Sequence, residues 1–178
     1  MMEIRRITAE NAVDLNLKNE SFQMPGKFIP ALQDGRWSYR TELFDHPQSM
    51  VFPDENYDFA EADRKGIVFG AYEDGKCIGL AIYEDYWLKH MYLYDLKVSA
   101  DYRGKGVGKA LIRAGLEAAK ERGYRGIYTV AQDNNLNACL FYLAAGFEIG
   151  GFDNRVYEGT SQQGKADIIF YINQEVRP

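Results

Sequence analysis

The stretch "MYLYDLKVSADYRGKGVGKALI", residues 91–112, contains the features that decide the fold. Its first part is apolar and aromatic with polar residues at alternate positions, which predicts a β-strand. From Tyr102 to Lys109 the chain has three glycines and three cationic residues. From Val107 onward the apolar residues recur at helical spacing. The stretch therefore predicts a strand, a glycine-rich loop and a helix in direct succession.

The glycine-rich loop has the properties of an anion site. The first amides of a helix lack acceptors within the helix and lie at the positive end of its dipole. Glycines let a ligand approach the main chain closely, and Arg103 and Lys105 add positive charge. The loop predicts a site for phosphate oxygens, while an ordinary strand-to-helix turn with solvated cations is the alternative.

The spacing of the glycines argues against two familiar phosphate loops. A nucleoside-triphosphate loop needs a glycine where this chain has Arg103, and serine or threonine where it has Ala110. A dinucleotide fingerprint requires G-x-G-x-x-G in the first strand–helix unit, but G-x-G-x-G stands here in mid-chain. The spacing favours a different pyrophosphate carrier.

Composition limits the partners of the chain. The net charge of -5 and the pI near 5.1 disfavour nucleic acid and favour a cationic ligand. No apolar run approaches the ~20 residues that span a bilayer, and the first residues lack a signal-peptide core. Cys77, Cys139, His46 and His90 show no metal-ligand spacing. We expect a cytoplasmic protein that binds no metal, membrane or nucleic acid.

The remaining elements predict a mixed α/β fold in a single domain, residues 1–178. Residues 3–8 predict a first strand, Thr8 caps a short helix, and Asp74-Gly75 forms the turn of a clear hairpin over 66–87. The helix after the loop should end near Arg122-Gly123. The last predicted elements are a strand over 126–131, a helix ending at Gly146, and strands within 147–159 and 166–173. We expect a largely antiparallel central sheet flanked by helices.

The segment from Lys18 to Asp54 is irregular in pattern. Prolines and glycines interrupt it repeatedly, so we expect short helices or a lid over a site rather than one long element. Residues 53–66, "PDENYDFAEADRKG", follow as an acidic and partly helical segment.

Two motifs resemble those of the GNAT N-acetyltransferase superfamily. Residues 92–111 resemble its coenzyme A signature R/Q-x-x-G-x-G/A, with Arg103, Gly106 and Gly108 at the matching positions. Downstream, Asn135-x-x-Ala138-x-x-x-Tyr142-x-x-x-Gly146-Phe147 looks like the second motif of the family. Residues 29–44 and 132–142 are similar to streptothricin acetyltransferases of Gram-positive bacteria. The resemblance implies a GNAT-like acyl-CoA N-acyltransferase fold and acetyl-CoA as cofactor, without a metal.

The resemblance also assigns roles to particular residues. It makes 91–147 the acetyl-CoA-binding core and 18–60 the variable acceptor-side segment. Asn135 and Ala138 would lie along the pantetheine arm, and Tyr142 would face the thioester sulfur. The residues assigned to the diphosphate and its surroundings are Leu96, Lys97, Val98, Arg103, Gly104, Lys105, Gly106, Val107, Gly108 and Lys109.

Acetyl transfer to an amine needs a proton donor for the leaving thiolate and a polarised carbonyl. Tyr142 suits the donor role because its free pKa, near 10, exceeds that of an alkyl thiol. A backbone amide of Leu96 or Val98 would polarise the carbonyl. Without its motif, Tyr142 would be interpreted as a core tyrosine on an apolar helix.

A base must also remove a proton from the acceptor ammonium. Asp95 is our first choice, because strand alternation places it opposite the face formed by Tyr92, Tyr94, Leu96 and Val98. Glu84 and Asp85 are alternatives, and so is a water relay. Each carboxylate could equally be a solvated charge or half of an ion pair.

The acceptor should be a small cationic amine. Trp37 and Tyr39 could stack on it, and Asp34, Glu84, Asp85 and Asp153 could offset its charge. Streptothricin, a protein N-terminus and a lysine are the candidate acceptors. A non-catalytic acyl-CoA-binding module is the alternative of another class, and the sequence leaves a homodimer open.

Overall fold

The structure is a computed structural model, and it describes residues 1–174. These residues form two compact units. Of the described residues, the first unit comprises Met1–Ser21, Val51–Ile127 and residues 173–174, and the second comprises Phe22–Met50 and Tyr128–Ile172. In chain order the elements are β1 (Glu3–Arg6), a 3-10 helix (Ala9–Asn16), β2 (Phe22–Gln33), β3 (Arg36–Met50), α1 (Phe59–Lys65), β4 (Gly66–Glu73), β5 (Lys76–Glu84), β6 (His90–Val98), a 3-10 turn (Ala100–Tyr102), α2 (Val107–Glu121), β7 (Gly126–Gln132), α3 (Leu136–Ala144), β8 (Glu148–Asp153) and β9 (Asp167–Asn173). The predicted mixed α/β class is confirmed.

The first unit contains an antiparallel sheet in the order β1-β4-β5-β6. Its central hairpin turns at Asp74 and Gly75, whose φ angles of 50° and 78° are those of a tight hairpin turn. The predicted hairpin is therefore confirmed. One face of the sheet buries an apolar cluster formed by Ile7, Leu15, Ala62, Val68, Leu80 and Ile82.

Helix α2 packs closely against β5 because the contact positions are small. A Cβ atom on Gly115 would lie 2.2 Å from the Tyr83 ring, and the Tyr83 hydroxyl donates to the Leu111 carbonyl at 3.0 Å. On the strand side, a Cβ on Gly79 would lie 2.9 Å from Val107. The helix ends as predicted, with Gly123 at φ 78°. These contacts fix the start of α2, and so the glycine loop, against the sheet.

Strand β6 differs from its predicted alternation. Met91 and Leu93 are its buried side chains, whereas Tyr94 is 48% exposed. Ile82 pairs with Asp95 and Tyr83 pairs with Leu93, so Tyr94 is an extra residue in a β-bulge. The expectation that Tyr92, Tyr94, Leu96 and Val98 form the more apolar face is wrong, because a bulge interrupts the strict alternation of side chains.

The second unit contains a long hairpin where short helices or a lid were expected. Strands β2 and β3 pair antiparallel and turn at Asp34 and Gly35, with φ angles of 50° and 73°. The expectation of short helices was wrong because the prolines do not interrupt the pairing of a two-stranded ribbon. Pro25 lies at the register shift, and Pro30 pairs with Tyr39.

Helix α3 and strands β7, β9 and β8 form the rest of the second unit, with the strands in that order. Strands β8 and β9 pair antiparallel, with Ile149 opposite Phe170. The helix begins at the Asn135 cap, and Gly146 follows its end with φ 99°. The predicted helix and closing strands are confirmed.

Candidate active site

The glycine loop presents unpaired amides on an open surface. Gly104 and Gly106 have φ angles of 74° and 85°, and Gly106 is the N-cap of α2. No atom lies within 4 Å of the position that a Cβ on either glycine would take. Within residues 1–174, the amides of Gly104, Gly106, Val107 and Gly108 donate to no backbone acceptor. The loop thus offers several donors to one anion, which fits the diphosphate of an acyl-CoA.

The Arg103 guanidinium donates hydrogen bonds to backbone carbonyls outside the glycine loop and so holds the loop in place. Nε donates to the Val98 carbonyl at 3.0 Å, and Nη1 donates to the Ser21 carbonyl at 2.7 Å. The Glu20 carboxylate accepts a 3.1 Å hydrogen bond from the Ala100 amide at the base of the same loop. Sequence reasoning missed Glu20. The exposed side chains of Lys105 and Lys109 remain the cations at the loop surface.

A cluster of charged side chains lies on β6, before the loop. We define the Asp95 cluster as Glu55, Tyr57, Asp95 and Lys97. Lys97 Nζ lies 2.6 Å from Glu55 Oε2 and 3.4 Å from Asp95 Oδ2, and it also donates to the Leu17 carbonyl at 3.2 Å. The Tyr57 hydroxyl donates to the same Asp95 Oδ2 at 3.0 Å. With two carboxylates and one ammonium, the cluster has a net charge of about -1 when all three are ionised.

Burial and neighbouring charges act together on the acidity of this cluster. Burial raises the pKa of Asp95, the Lys97 ammonium lowers it, and the Glu55 carboxylate raises it again, with a net upward shift. Burial also opposes ionisation of Glu55, but hydrogen bonds from Lys97 and Asn19 outweigh burial and lower its pKa. Burial and the charge of Asp95 raise the pKa of Tyr57, so its hydroxyl stays protonated. Asp95 is therefore the better proton acceptor of the two carboxylates.

The other carboxylates predicted near the acceptor have partners of their own. Glu84 lies 3.8 Å from the Lys65 ammonium. Asp85 is 2.6 Å from Arg122 Nη1 and accepts a 3.1 Å hydrogen bond from the Tyr124 hydroxyl. These contacts tie Asp85 to the end of α2, while Asp95 is tied to the segment that precedes α1.

In the second unit, Tyr142 lies in an aromatic cluster. It is only 9% exposed and its ring centroid lies 5.3 Å from that of Phe147 and 5.6 Å from that of Phe170. Phe170 also contacts Phe28, which stacks on Tyr39 at 4.6 Å. Two residues with separate predicted roles, Tyr142 and Tyr39, thus belong to one run of packed rings.

The polar residues around α3 have structural contacts. Asn135 Oδ1 accepts a 3.2 Å hydrogen bond from the Ala138 amide, which makes Asn135 the helix cap. The neighbouring Asn134 has its Oδ1 buried, with no hydrogen-bond partner within the described residues. Asp133 is almost fully buried and forms a 2.9 Å ion pair with Lys27 of β2. Sequence reasoning missed Asp133, although an acidic residue directly after a buried strand was a signal for it.

The remaining predicted acceptor residues lie at separate places in the second unit. Trp37 pairs with Leu32 in the β2–β3 hairpin, and Asp34 is exposed at its turn. Asp153 Oδ1 accepts hydrogen bonds from the amides of Arg155 and Val156 at 2.9 and 3.0 Å, which closes a turn after β8. Of the two carboxylates, Asp153 accepts hydrogen bonds from backbone amides, whereas the Asp34 carboxylate accepts none within residues 1–174.

Two kinds of feature are absent from residues 1–174. The described side chains include no group of three or more His, Cys, Asp or Glu residues suited to hold a metal ion. In the same part of the chain, no helix has the length and apolar character needed to cross a bilayer.

Comparison with known proteins gives relatives over nearly the whole chain. Streptothricin acetyltransferase A of Bacillus subtilis (strain 168) is 34% identical over 169 residues, 94% of this chain and 98% of that protein. A Bacillus anthracis protein (strain Ames), assigned as a streptothricin acetyltransferase and solved in complex with acetyl coenzyme A, is similar with TM-score 0.85 and 29% identity. That match covers 98% of this chain and 99% of the other. The crystal structure of nourseothricin acetyltransferase is similar with TM-score 0.79 and 26% identity, covering 97% and 98% of the two chains.

The model of the acetyltransferase (GNAT) family matches residues 29–147. The matched residues include the glycine loop, Asp95, Asn135 and Tyr142, and they come from both units. The chain belongs to the acetyltransferase (GNAT) family.

Proposed function

We propose that this protein transfers the acetyl group of acetyl-CoA to a primary amine of a small cationic acceptor, with streptothricin as the first candidate. The Asp95 cluster supports the proposal, because it places a partly buried, net negative group on the strand that leads into the glycine loop. The names of the relatives also support streptothricin as acceptor.

The glycine loop would hold the cofactor. The amides of Gly104, Gly106, Val107 and Gly108 would donate to the diphosphate, and Arg103 would keep the loop in place through Val98 and Ser21. Acetyl-CoA supplies the acetyl group as a thioester when it is bound. We predict that the backbone amide of Leu96 or Val98, on the strand before the loop, donates a hydrogen bond to the thioester carbonyl.

Asp95 would take the proton of the acceptor ammonium. Both of its hydrogen-bonding neighbours, Tyr57 and Lys97, approach Oδ2. Within residues 1–174 no hydrogen bond reaches Oδ1, so this oxygen has lone pairs to offer. A carboxylate with a raised pKa is better matched to proton transfer near neutral pH than an ordinary aspartate.

Tyrosine rings near this carboxylate would favour a cationic acceptor. Tyr94 contacts Tyr57 and Tyr92 edge to face, with centroid distances of 6.3 and 5.9 Å, and it is 48% exposed. Aromatic faces beside a net negative group attract ammonium and guanidinium groups. We assign Trp37, Tyr39, Asp34 and Asp153 to acceptor binding only as predictions, and Tyr142 keeps the predicted role of proton donor to the thiolate.

The proposal includes the cytoplasmic location predicted from the sequence. Both cysteines are free thiols, which suits a reducing compartment.

An acceptor screen tests the proposal directly. Acetyl-CoA is offered with streptothricin, aminoglycosides, polyamines or peptides, and thiol release is followed. Consumption with streptothricin above all others supports the proposal, and a preference for peptides would favour a protein acetyltransferase instead. If acetyl-CoA bound but no amine accelerated thiol release, the non-catalytic module would be the better description.

Asp95→Asn tests the assigned base, with Asp63→Asn as the matched control. Asp63, on α1, makes an exposed 2.7 Å contact with Arg6 of β1, so its substitution changes charge without touching the cluster. We expect Asp95→Asn to lose most of its activity at pH values where the Asp95 carboxylate is ionised, and to lose the acid limb that protonation of Asp95 gives the pH profile. A profile of Asp95→Asn that coincided with that of the unmodified protein would eliminate Asp95 as base.

A further inference from the structure

We propose that Lys97 and Glu55 are positioning residues for the Asp95 carboxylate: Lys97 contacts it directly, and Glu55 acts on it through Lys97 and through its own charge. This inference rests on the proposed function, in which Asp95 is the base. It gives Lys97 a role in positioning the base instead of the cofactor-side role that the resemblance assigned to it, and it adds Glu55, from the segment that precedes α1, which neither motif contains.

The Lys97 ammonium has no freedom to serve another partner. Its side chain is 10% exposed, its Nζ donates hydrogen bonds to the Leu17 carbonyl and to Glu55 Oε2, and the same Nζ forms an ion pair with Asp95 Oδ2 at 3.4 Å. An ammonium has three donors, so these contacts account for all of them. Lys97 therefore acts within the protein rather than on an acceptor molecule or cofactor.

Glu55 is held just as firmly. Its Oε2 accepts from Lys97 at 2.6 Å and from Asn19 Nδ2 at 2.9 Å. Asn19 in turn donates to the Pro53 carbonyl at 2.9 Å, and its amide donates to Asp54 at 2.8 Å. This network fixes the carboxylate that competes with Asp95 for the single ammonium.

The geometry leaves Asp95 with one occupied and one available oxygen. Lys97 and the Tyr57 hydroxyl both lie against Oδ2 and set the plane of the carboxylate. Three parts of the first unit surround Asp95: Tyr57, from the segment before α1, and Lys97, from β6, contact its carboxylate, and the apolar Ile82 of β5 pairs with it. Glu55 lies one contact further away, on the ammonium of Lys97, and Tyr94 packs on Tyr57. Among these, Lys97 and Glu55 are the two that have full charges.

The two charges act on Asp95 with opposite signs. The ammonium favours the ionised carboxylate, whereas the Glu55 carboxylate disfavours it and also takes part of the ammonium's attraction for itself. Without Glu55, Lys97 would pair with Asp95 alone and make it a weaker base. Without Lys97, two carboxylates would share a partly buried site and Asp95 would hold its proton more tightly.

Opposite substitutions therefore test the inference. Lys97→Met should move the acid limb of the kcat/KM profile up by roughly one pH unit, and Glu55→Gln should move it down by roughly as much. A ¹³C-carboxyl NMR titration of Asp95, assigned by the signal that Asp95→Asn lacks, should move in the same two directions without any acceptor present. Lys97→Arg keeps the charge and should leave the titration nearly unchanged.

A purely structural role would give a different result. In that case all three variants would lower the melting temperature or activity without moving the Asp95 titration in opposite directions, and the inference would be overturned. If Lys97→Met did not fold, Glu55→Gln alone would decide, because glutamine can still bond to Lys97 and Asn19; an unmoved or upward-moving titration would reject the inference. Opposite shifts without acetylation of any amine would instead reject the proposed function, and with it the role of Asp95 as base.

Discussion

The Arg103 guanidinium donates a 2.7 Å hydrogen bond to the Ser21 carbonyl and a 3.0 Å hydrogen bond to the Val98 carbonyl. This arginine therefore joins the end of β6 to the last residue of the N-terminal segment. The conformation of the glycine loop thus depends on a side chain whose hydrogen-bond acceptors lie outside the loop.

Two substitutions of Arg103 distinguish whether its hydrogen bonds to the backbone or its positive charge alone supports coenzyme A binding. We expect Arg103→Ala to weaken coenzyme A binding about tenfold, since two hydrogen bonds from a charged group are lost. Arg103→Lys should recover little of the affinity, because an ammonium cannot make the same planar set of contacts. Isothermal titration calorimetry measures both, and full recovery by lysine would show that only the positive charge matters.

The left-handed backbone at Gly106 gives a second prediction. Alanine at φ 85° costs about 1–2 kcal/mol and turns the amides of the loop away from a common point. Gly106→Ala should therefore weaken coenzyme A binding, while Gly123→Ala, at φ 78° beyond the other end of α2, carries similar strain and should bind normally. Equal affinities of the two variants would contradict the assignment of the loop.

The sequence predicted one Asp-Gly turn and missed another. Asp74-Gly75 lies between two strongly apolar runs rich in β-forming residues, so its hairpin was evident. Asp34-Gly35 makes a turn of nearly the same φ angles, but prolines interrupt the apolar residues of β2, and β3 is mostly polar. Local turn chemistry was identical, and the flanking pattern decided whether the hairpin could be recognised.

The candidate site was predictable to the extent that its residues are close in sequence. The glycine loop and Asp95 come from one short stretch, and the spacing of that stretch indicated an anion site. Tyr57 reaches Asp95, and Glu55 reaches Lys97, from about 40 residues earlier in the chain, and both contacts depend on tertiary packing. The bulge at Tyr94 was also invisible, because it arises from pairing with β5.

The pKa of Asp95 predicts a conflict between stability and activity. The folded protein binds the proton of the Asp95 carboxyl more tightly than the unfolded chain, in which the pKa is 3.8. Stability is therefore lost as pH rises from 3.8 through the raised pKa of the folded state. Asp95→Asn should therefore raise the melting temperature at pH 7 but not near pH 3, where the carboxyl is protonated in both states. Thermal melts of both proteins across this range test the sign, and a lower melting temperature of the variant at pH 7 would contradict it.

The close approach of α2 to β5 predicts a stability effect that spares the cofactor site. Gly115→Ala would place a Cβ atom 2.2 Å from the Tyr83 ring, and overpacking of this kind costs about 1–3 kcal/mol. Denaturant unfolding measures the loss, and Glu117→Ala, at an exposed position of the same helix, is a control that adds no atoms against the sheet. An unchanged free energy of unfolding in Gly115→Ala would mean that the helix can move off the sheet freely.

Tyr142→Phe tests the proton donor with the least disturbance of packing. The ring contacts with Phe147 and Phe170 remain, so the melting temperature should hardly change and acetyl-CoA affinity should be preserved. Turnover should fall roughly a hundredfold, because the departing thiolate loses its donor. Tyr72→Phe is the matched control: it removes a hydroxyl bonded to Asn11 and Asp14, and should lower stability without lowering turnover per folded molecule. Unchanged turnover in Tyr142→Phe would leave this tyrosine with a packing role only.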